Sequence, residues 1–199
     1  MNEPGDDGQV APRRMRADAR RNVDAVLEAA KAVFATSGVD APVREVATKA
    51  GVGVGTLYRH FPHRADLVAA VFRHEVDACA DAAPVLAAEH DPDEALGRWL
   101  QRYAGFIATK RGLAAALHSG DPTFDTLPAY FEQRFLPALG SLLDAAGAAG
   151  AIRADVDARD LLSAVAGLGV VEDPERPGQA GRMVALLVDG LRHGAAGGS

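Results

Sequence analysis

The sequence predicts an all-α fold of about nine helices, a small N-terminal three-helix domain followed by a larger helical C-terminal domain. Three observations carry this. Apolar residues recur at the i, i+3, i+4, i+7 spacing of one helical face along most of the chain. No stretch alternates apolar and polar residues between hairpin turns, so strands are not expected. Glycine and proline fall in clusters that punctuate the periodic runs.

Residues 1–20 lack periodicity at first and then turn arginine-rich (Arg13, Arg14, Arg16, Arg20), so they are expected to form a disordered basic tail. The run fits either a solvated helix start or a mobile arm that follows phosphates. The first helix follows, with Asn22 as N-cap, Val26, Leu27, Ala30, Val33 and Phe34 on one face, and Gly38 as its stop. Pro42 suits the first turn of a short second helix that ends at Gly51. A third short helix begins at Gly53 and runs to about Phe61, before Pro62. Further apolar faces are carried by Leu67 to Cys79, Leu96 to Ile107, Tyr130 to Ala146, Leu161 to Leu168 and Val184 to Leu191. Breaks are expected at Pro84, His90-Asp91-Pro92, Gly112, Gly120-Asp121-Pro122, Gly147–Gly150 and Asp173–Gly178. The domains read as 21–66 and 67–199.

Composition narrows the function classes. Of the 199 residues, 48% are hydrophobic and 24% charged, which is enough to bury a core, yet no apolar run is long enough to span a membrane. The N-terminus lacks the apolar segment of a secretory signal. Cys79 is the only cysteine, so neither an internal disulfide nor a multi-cysteine zinc site is available, and a reducing, cytoplasmic setting is expected. There is no phosphate-binding glycine loop and no nucleophile elbow. His60 and His63 have no acidic partner to complete a ligand set. No enzyme, cofactor or metal site is therefore read. The net charge of −6 hides an asymmetry: residues 11–64 hold ten Lys/Arg against five Asp/Glu, and residues 65–199 hold eleven against nineteen. One end of the chain is suited to a polyanion.

The segment 39–66, VDAPVREVATKAGVGVGTLYRHFPHRAD, is the informative one. Two short helices joined by a tight glycine-containing turn describe a DNA-binding helix-turn-helix. At 100° per residue, Leu57 and Phe61 fall on one seam of the second helix with Val54 beside it, and Arg59 points directly away. Gly55 and Thr56 lie next to Arg59, and Tyr58 and His60 edge the surface on opposite sides. The outward face is small at its middle, basic at Arg59 and rimmed by hydrogen-bonding groups, a shape that enters a major groove. Gly53 and Gly55 let backbone approach phosphate closely.

The run VREVATKAGVGVGTLYRHFPHRADLV resembles the DNA-binding signature of the tetracycline-repressor (TetR) family across residues 22–66. The resemblance implies a dimeric regulator of transcription, a repressor by family default, bound to palindromic operator DNA. It assigns phosphate contacts to Thr56, Tyr58 and His60, a base or phosphate contact to Arg44, and a basic position after the reading helix to Arg64. The first reading position is Val54, which offers only methyl contacts, and Gly53 stands where a capping serine is frequent, so a backbone N–H takes over the phosphate. Pro42-Val43 replaces the Ser/Thr pair often found before the second helix, which removes a side-chain phosphate contact there.

Residues 67–199 are then expected to bind an effector and to dimerise. The resemblance implies that the last two helices, 157–171 and 179–193, pair with their two-fold mates as a four-helix bundle. A pocket is expected between the long middle helices, and the many aliphatic and aromatic side chains of 67–199, with few candidate buried charges, point to a small apolar or aromatic effector. Trp99, Tyr103 and Phe106 share one helix face, and His118, Tyr130 and Arg134 supply polar groups. Such an aromatic stripe equally fits plain core. The alternative is a helix-turn-helix protein whose C-terminal domain serves dimerisation or protein partners without any small-molecule effector. A cavity with convergent polar groups separates the first reading from the second.

Overall fold

The computed structural model describes residues 10–169 and 178–193, with residues 10–20, 111, 169 and 193 described as backbone only. Among these residues there are nine α-helices, one 3-10 turn and no strand, so the all-α expectation holds. The helices are α1 (Val10–Ser37), α2 (Val43–Ala50), α3 (Val54–His60), α4 (Arg64–Ala80), α5 (Ala82–Glu89), α6 (Pro92–Leu117), α7 (Leu127–Ala148), α8 (Ala158–Gly169) and α9 (Gln179–His193). The chain divides into two compact units, Met1–Val71 and Phe72–Ser199. The division falls inside α4 rather than at 66/67.

Local chemistry explains most element ends. Gly51 takes a left-handed conformation (φ 69°) after α2, where its N–H donates to the Thr48 carbonyl (3.2 Å) and the Val52 N–H to that of Ala47 (3.0 Å). That pair of bonds is a Schellman cap, and only glycine enters this conformation without steric cost. Asp66 accepts from the His63 N–H at 2.9 Å, closing the first turn of α4. Pro92 opens α6 at its first position, where no intrahelical donor is lost.

Four expectations are corrected. The first helix starts at Val10, not after Asn22, so residues 10–20 are helical and residues 1–9 lie outside the described residues. The run is rich in Ala and Arg, good helix formers, and Pro12 sits in the first turn, where it is tolerated. Pro42 is the N-cap of α2 and not its first residue; its carbonyl accepts from the Glu45 N–H at 2.8 Å. Pro84 does not break a helix but lies in the first turn of α5, and the chain turns at Asp81 instead. Gly112 is carried inside α6, whose packing outweighs the roughly 1 kcal/mol that glycine costs a helix. Of the expected break at Asp173–Gly178, only Gly178 is described.

In the first unit α1 packs on α2 and α2 on α3. Val26, Ala30, Val33, Phe34, Val46, Ala47 and Leu57 are all buried there. In the second unit α6 is the central strut, touching α5, α7, α8 and α9. Leu96, Trp99, Leu100 and Tyr103 of α6 are buried, as are Phe135, Leu139 and Leu142 of α7 and Val165 of α8, and Phe135 packs on Trp99 and Tyr103.

Candidate nucleic-acid interface

The surface of α2 and α3 is built from the buried seam outward. Leu57 (1% exposed) and Phe61 (9%) anchor α3, and Val54 is half-buried, as the angular reading requires. The opposite face holds Tyr58 (50% exposed), Arg59, His60 and Gly55, all exposed, with Thr56 half-buried beside them. Gly53 caps α3 in an extended conformation; its carbonyl accepts from the N–H groups of Thr56 (2.9 Å) and Leu57 (3.2 Å). A methyl group built on Gly55 would meet nothing within 4 Å. The fold itself therefore does not demand a glycine at this position.

Arg44 of α2 is exposed. It lines a groove of about 900 Å³ along α1 and α2 together with Thr48 and Lys49. Sequence reasoning passed over Thr48 and Lys49, although Thr48 stands one turn beyond Arg44 on the same helix and is detectable by that spacing. The acid among them, Glu45, accepts from the Ser37 hydroxyl at 3.1 Å, which ties α2 to the end of α1.

Arg64 is turned inward instead. Its guanidinium donates to the Val39 carbonyl and, at 2.8 Å, to that of Ala41, and so clamps the loop between α1 and α2. A charged donor on two backbone carbonyls holds the α2 entry in place. No sequence signal could reveal this, because the partners lie more than twenty residues away and are backbone atoms.

The residues expected around an effector separate into three places. Trp99 (0% exposed), Tyr103 (1%) and Phe106 (4%) form a packed aromatic cluster with Phe131 and Phe135. The Trp99 indole donates to the Cys79 carbonyl at 2.9 Å and the Tyr103 hydroxyl to that of Leu162 at 3.3 Å. Burial pushes the Cys79 thiol up to about 12 and the Tyr103 phenol up as well, so both stay protonated at neutral pH. Tyr130 and Arg134 of α7 meet Asp77 of α4 and Asp81, the N-cap residue of α5. The Tyr130 hydroxyl and Arg134 Nε both donate to Asp77 Oδ1, at 2.6 and 2.7 Å, and Arg134 Nη2 donates to Asp81 at 2.5 Å. His118 stands apart, exposed at the end of α6, with its Nδ1 2.8 Å from the Ala114 carbonyl. The described cavities of this unit are lined by other side chains.

Known proteins agree with this arrangement. Residues 26–71 match the bacterial regulatory proteins of the tetR family, and residues 91–193 match the C-terminal domain of SbtR-like transcriptional regulators. The TetR transcriptional regulator SCO0520 from Streptomyces coelicolor is 40% identical, with 85% of this chain and 98% of that one covered at a TM-score of 0.76. A TetR transcription regulatory protein from Mycobacterium vanbaalenii is 39% identical, with 89% and 99% covered at a TM-score of 0.73. The HTH-type transcriptional regulator SAUSA300_2515 of Staphylococcus aureus is 38% identical over 64 residues, 32% of this chain; that match spans only 35% of the relative's length. A helical bundle with an N-terminal helix-turn-helix defines the class as a DNA-binding regulator of transcription. The chain belongs to the TetR family of bacterial transcriptional regulators.

Proposed function

We propose that the chain is a homodimeric repressor that holds a partly palindromic operator through α2 and α3 and answers to a small-molecule effector. The outward face of α3 carries this reading. Thr56, Tyr58 and His60 are phosphate contacts, Arg59 and Arg44 reach base edges or phosphates, and Val54 offers a methyl to thymine. Gly53 and Gly55 bring backbone close to the duplex, and Thr48 and Lys49 extend the basic surface. Arg64 acts through the loop it clamps, as a positioning residue. The test is operator selection from genomic fragments, followed by binding with T56A and Y58A. Because these are phosphate contacts, affinity falls for all sequences alike, whereas an Arg44 substitution also relaxes specificity by about 1–3 kcal/mol. A footprint that survives the Thr56/Tyr58 double change sinks the assignment.

Dimerisation through α8 and α9 is supported by what these helices leave uncovered. Leu186 is 70% exposed, with Met183 one turn before it and Leu187 next to it both half-buried, and Ala164 and Gly167 exposed on α8. For the effector, the observation that weighs against a pocket at Trp99 is the filled aromatic cluster. It is the observation behind a second reading, in which the C-terminal unit serves dimerisation or a protein partner. Titrating aromatic and aliphatic compounds into the operator complex while following Trp99, the only tryptophan, separates the two. Effector control predicts a Trp99 signal that accompanies operator release. A signal with operator affinity unchanged at saturation leaves the second reading.

A further inference from the structure

The second unit holds an unassigned groove between α5 and α6. It has a volume of about 410 Å³, within the range of roughly 300–1,000 Å³ typical of small-ligand sites. Its apolar side is Ala82, Val85 and Leu86 of α5, and its charged side is Arg98 and Arg102 of α6, with Asp81 at the margin. Val85 is 53% exposed, so the apolar side of the groove is open to an occupant.

The two arginines differ in their company. Arg98 is held by Glu94 one turn before it, through Nε at 2.9 Å and Nη2 at 2.7 Å. Arg102 forms no hydrogen bond or ion pair among the described residues. Its helical neighbours at three and four positions are Arg98, Trp99, Gly105 and Phe106, none of them acidic. Like charges at i and i+4 repel on a helix surface. A guanidinium with no hydrogen-bonded acid among the described residues therefore stands beside an exposed apolar surface, with a second guanidinium in the same groove. Asp81, which Arg134 holds at 2.5 Å, also lines the groove, so two guanidinium groups stand there against one carboxylate, which limits the anionic charge an occupant can carry.

We propose that this groove binds small organic monocarboxylates. The carboxylate is held at Arg102 with Arg98 beside it, and the hydrocarbon part lies on Val85, Leu86 and Ala82. A planar guanidinium matches a carboxylate bidentately, which gives direction as well as charge attraction. The site stands on the second unit alone and does not depend on the operator reading.

The experiment uses the full chain, with benzoate, benzyl alcohol, benzylamine and sulfate as probes, in calorimetric titrations and methyl NMR of Val85 and Leu86. Benzoate binds and shifts those methyl signals, and benzyl alcohol binds about tenfold more weakly or less, having lost the charge-assisted bonds. Benzylamine and sulfate do not compete. R102Q, a change on an exposed side chain, reproduces the loss, and R102K restores only part of the affinity, because an ammonium keeps the charge but not the bidentate geometry. V85D abolishes binding while the circular dichroism of the chain is unchanged. Benzoate affinity unaltered by R102Q, benzyl alcohol bound as tightly as benzoate, competition by sulfate, or no benzoate binding at millimolar concentration each overturns the proposal.

Discussion

Gly55 and Arg64 show how far apart two residues of one short segment can be in what they do. Gly55 lies in the middle of α3, where glycine costs a helix about 1 kcal/mol relative to alanine. The space over it is empty, so nothing within the chain rewards that cost. On the operator reading, the reward comes from the duplex that approaches there. G55A is then expected to raise thermal stability, by up to about 1 kcal/mol, while operator affinity measured by fluorescence anisotropy falls. A variant that is both more stable and equally tight on DNA removes Gly55 from the interface. Tyr58, Arg59 and His60 were legible because a helical wheel fixes direction once Leu57 and Phe61 mark the seam. Arg64 was not, because a long flexible side chain one turn past the reading helix can point either way. Only the carbonyls of Val39 and Ala41 decided it.

At the level of elements, α4 is the helix that both units share, and α7 grips its second half. Asp77 accepts from Tyr130 and Arg134, Asp81 from Arg134, and Arg73 donates to Thr126 at 3.0 Å while lying 5.9 Å from the Tyr130 ring centroid. Burial, then the bond to Asp77, raises the Tyr130 phenol to about 12. A tyrosine whose folded pKa exceeds its unfolded value of about 10 stabilises the fold fully below that pH. That contribution is lost as pH climbs from about 10 towards 12. Y130F should therefore lack part of the alkaline destabilisation seen in thermal melts. D77N should lower the Tyr130 midpoint in an absorbance titration of tyrosinate, and cost about 1 kcal/mol, at the small end because Asp77 is 40% exposed. An unchanged tyrosinate curve in D77N means that the bond to Asp77 does not govern Tyr130. The helices themselves were legible from apolar spacing, whereas their ends were read less well. Pro84 and Gly112 looked like breaks, but the first turn of α5 accepts a proline and the packing of α6 carries a glycine.

For the whole molecule, the decisive question is what covers α9. Leu186 at 70% exposure is among the large hydrophobic side chains that the chain leaves to solvent. A two-fold mate burying it together with the half-buried Met183 and Leu187 is the simplest solution, since contiguous apolar patches mark interaction surfaces. L186R is expected to convert a dimer into a folded monomer in sedimentation velocity. It should also weaken operator binding well beyond tenfold, because a palindromic site is held by two heads. A monomeric L186R with full operator affinity would refute a two-headed complex. A dimeric L186R would move the interface away from α9.

The sequence by itself determined the helical class, the reading helix and the orientation of its outward face, because each follows from local periodicity and from a few residues with special backbone needs. Gly51 at the turn and the seam of Leu57 and Phe61 are of this kind. The tertiary structure alone decided which side chains meet across long separations. It brought Trp99, Tyr103 and Phe106 together with Phe131 and Phe135 in one aromatic cluster. It drew Tyr130 and Arg134 onto α4, left His118 in solvent, and set Arg102 beside the exposed Val85. Helical spacing tells which residues share a face, but what that face meets depends on helix crossings, which are set by close packing of side chains distant in sequence.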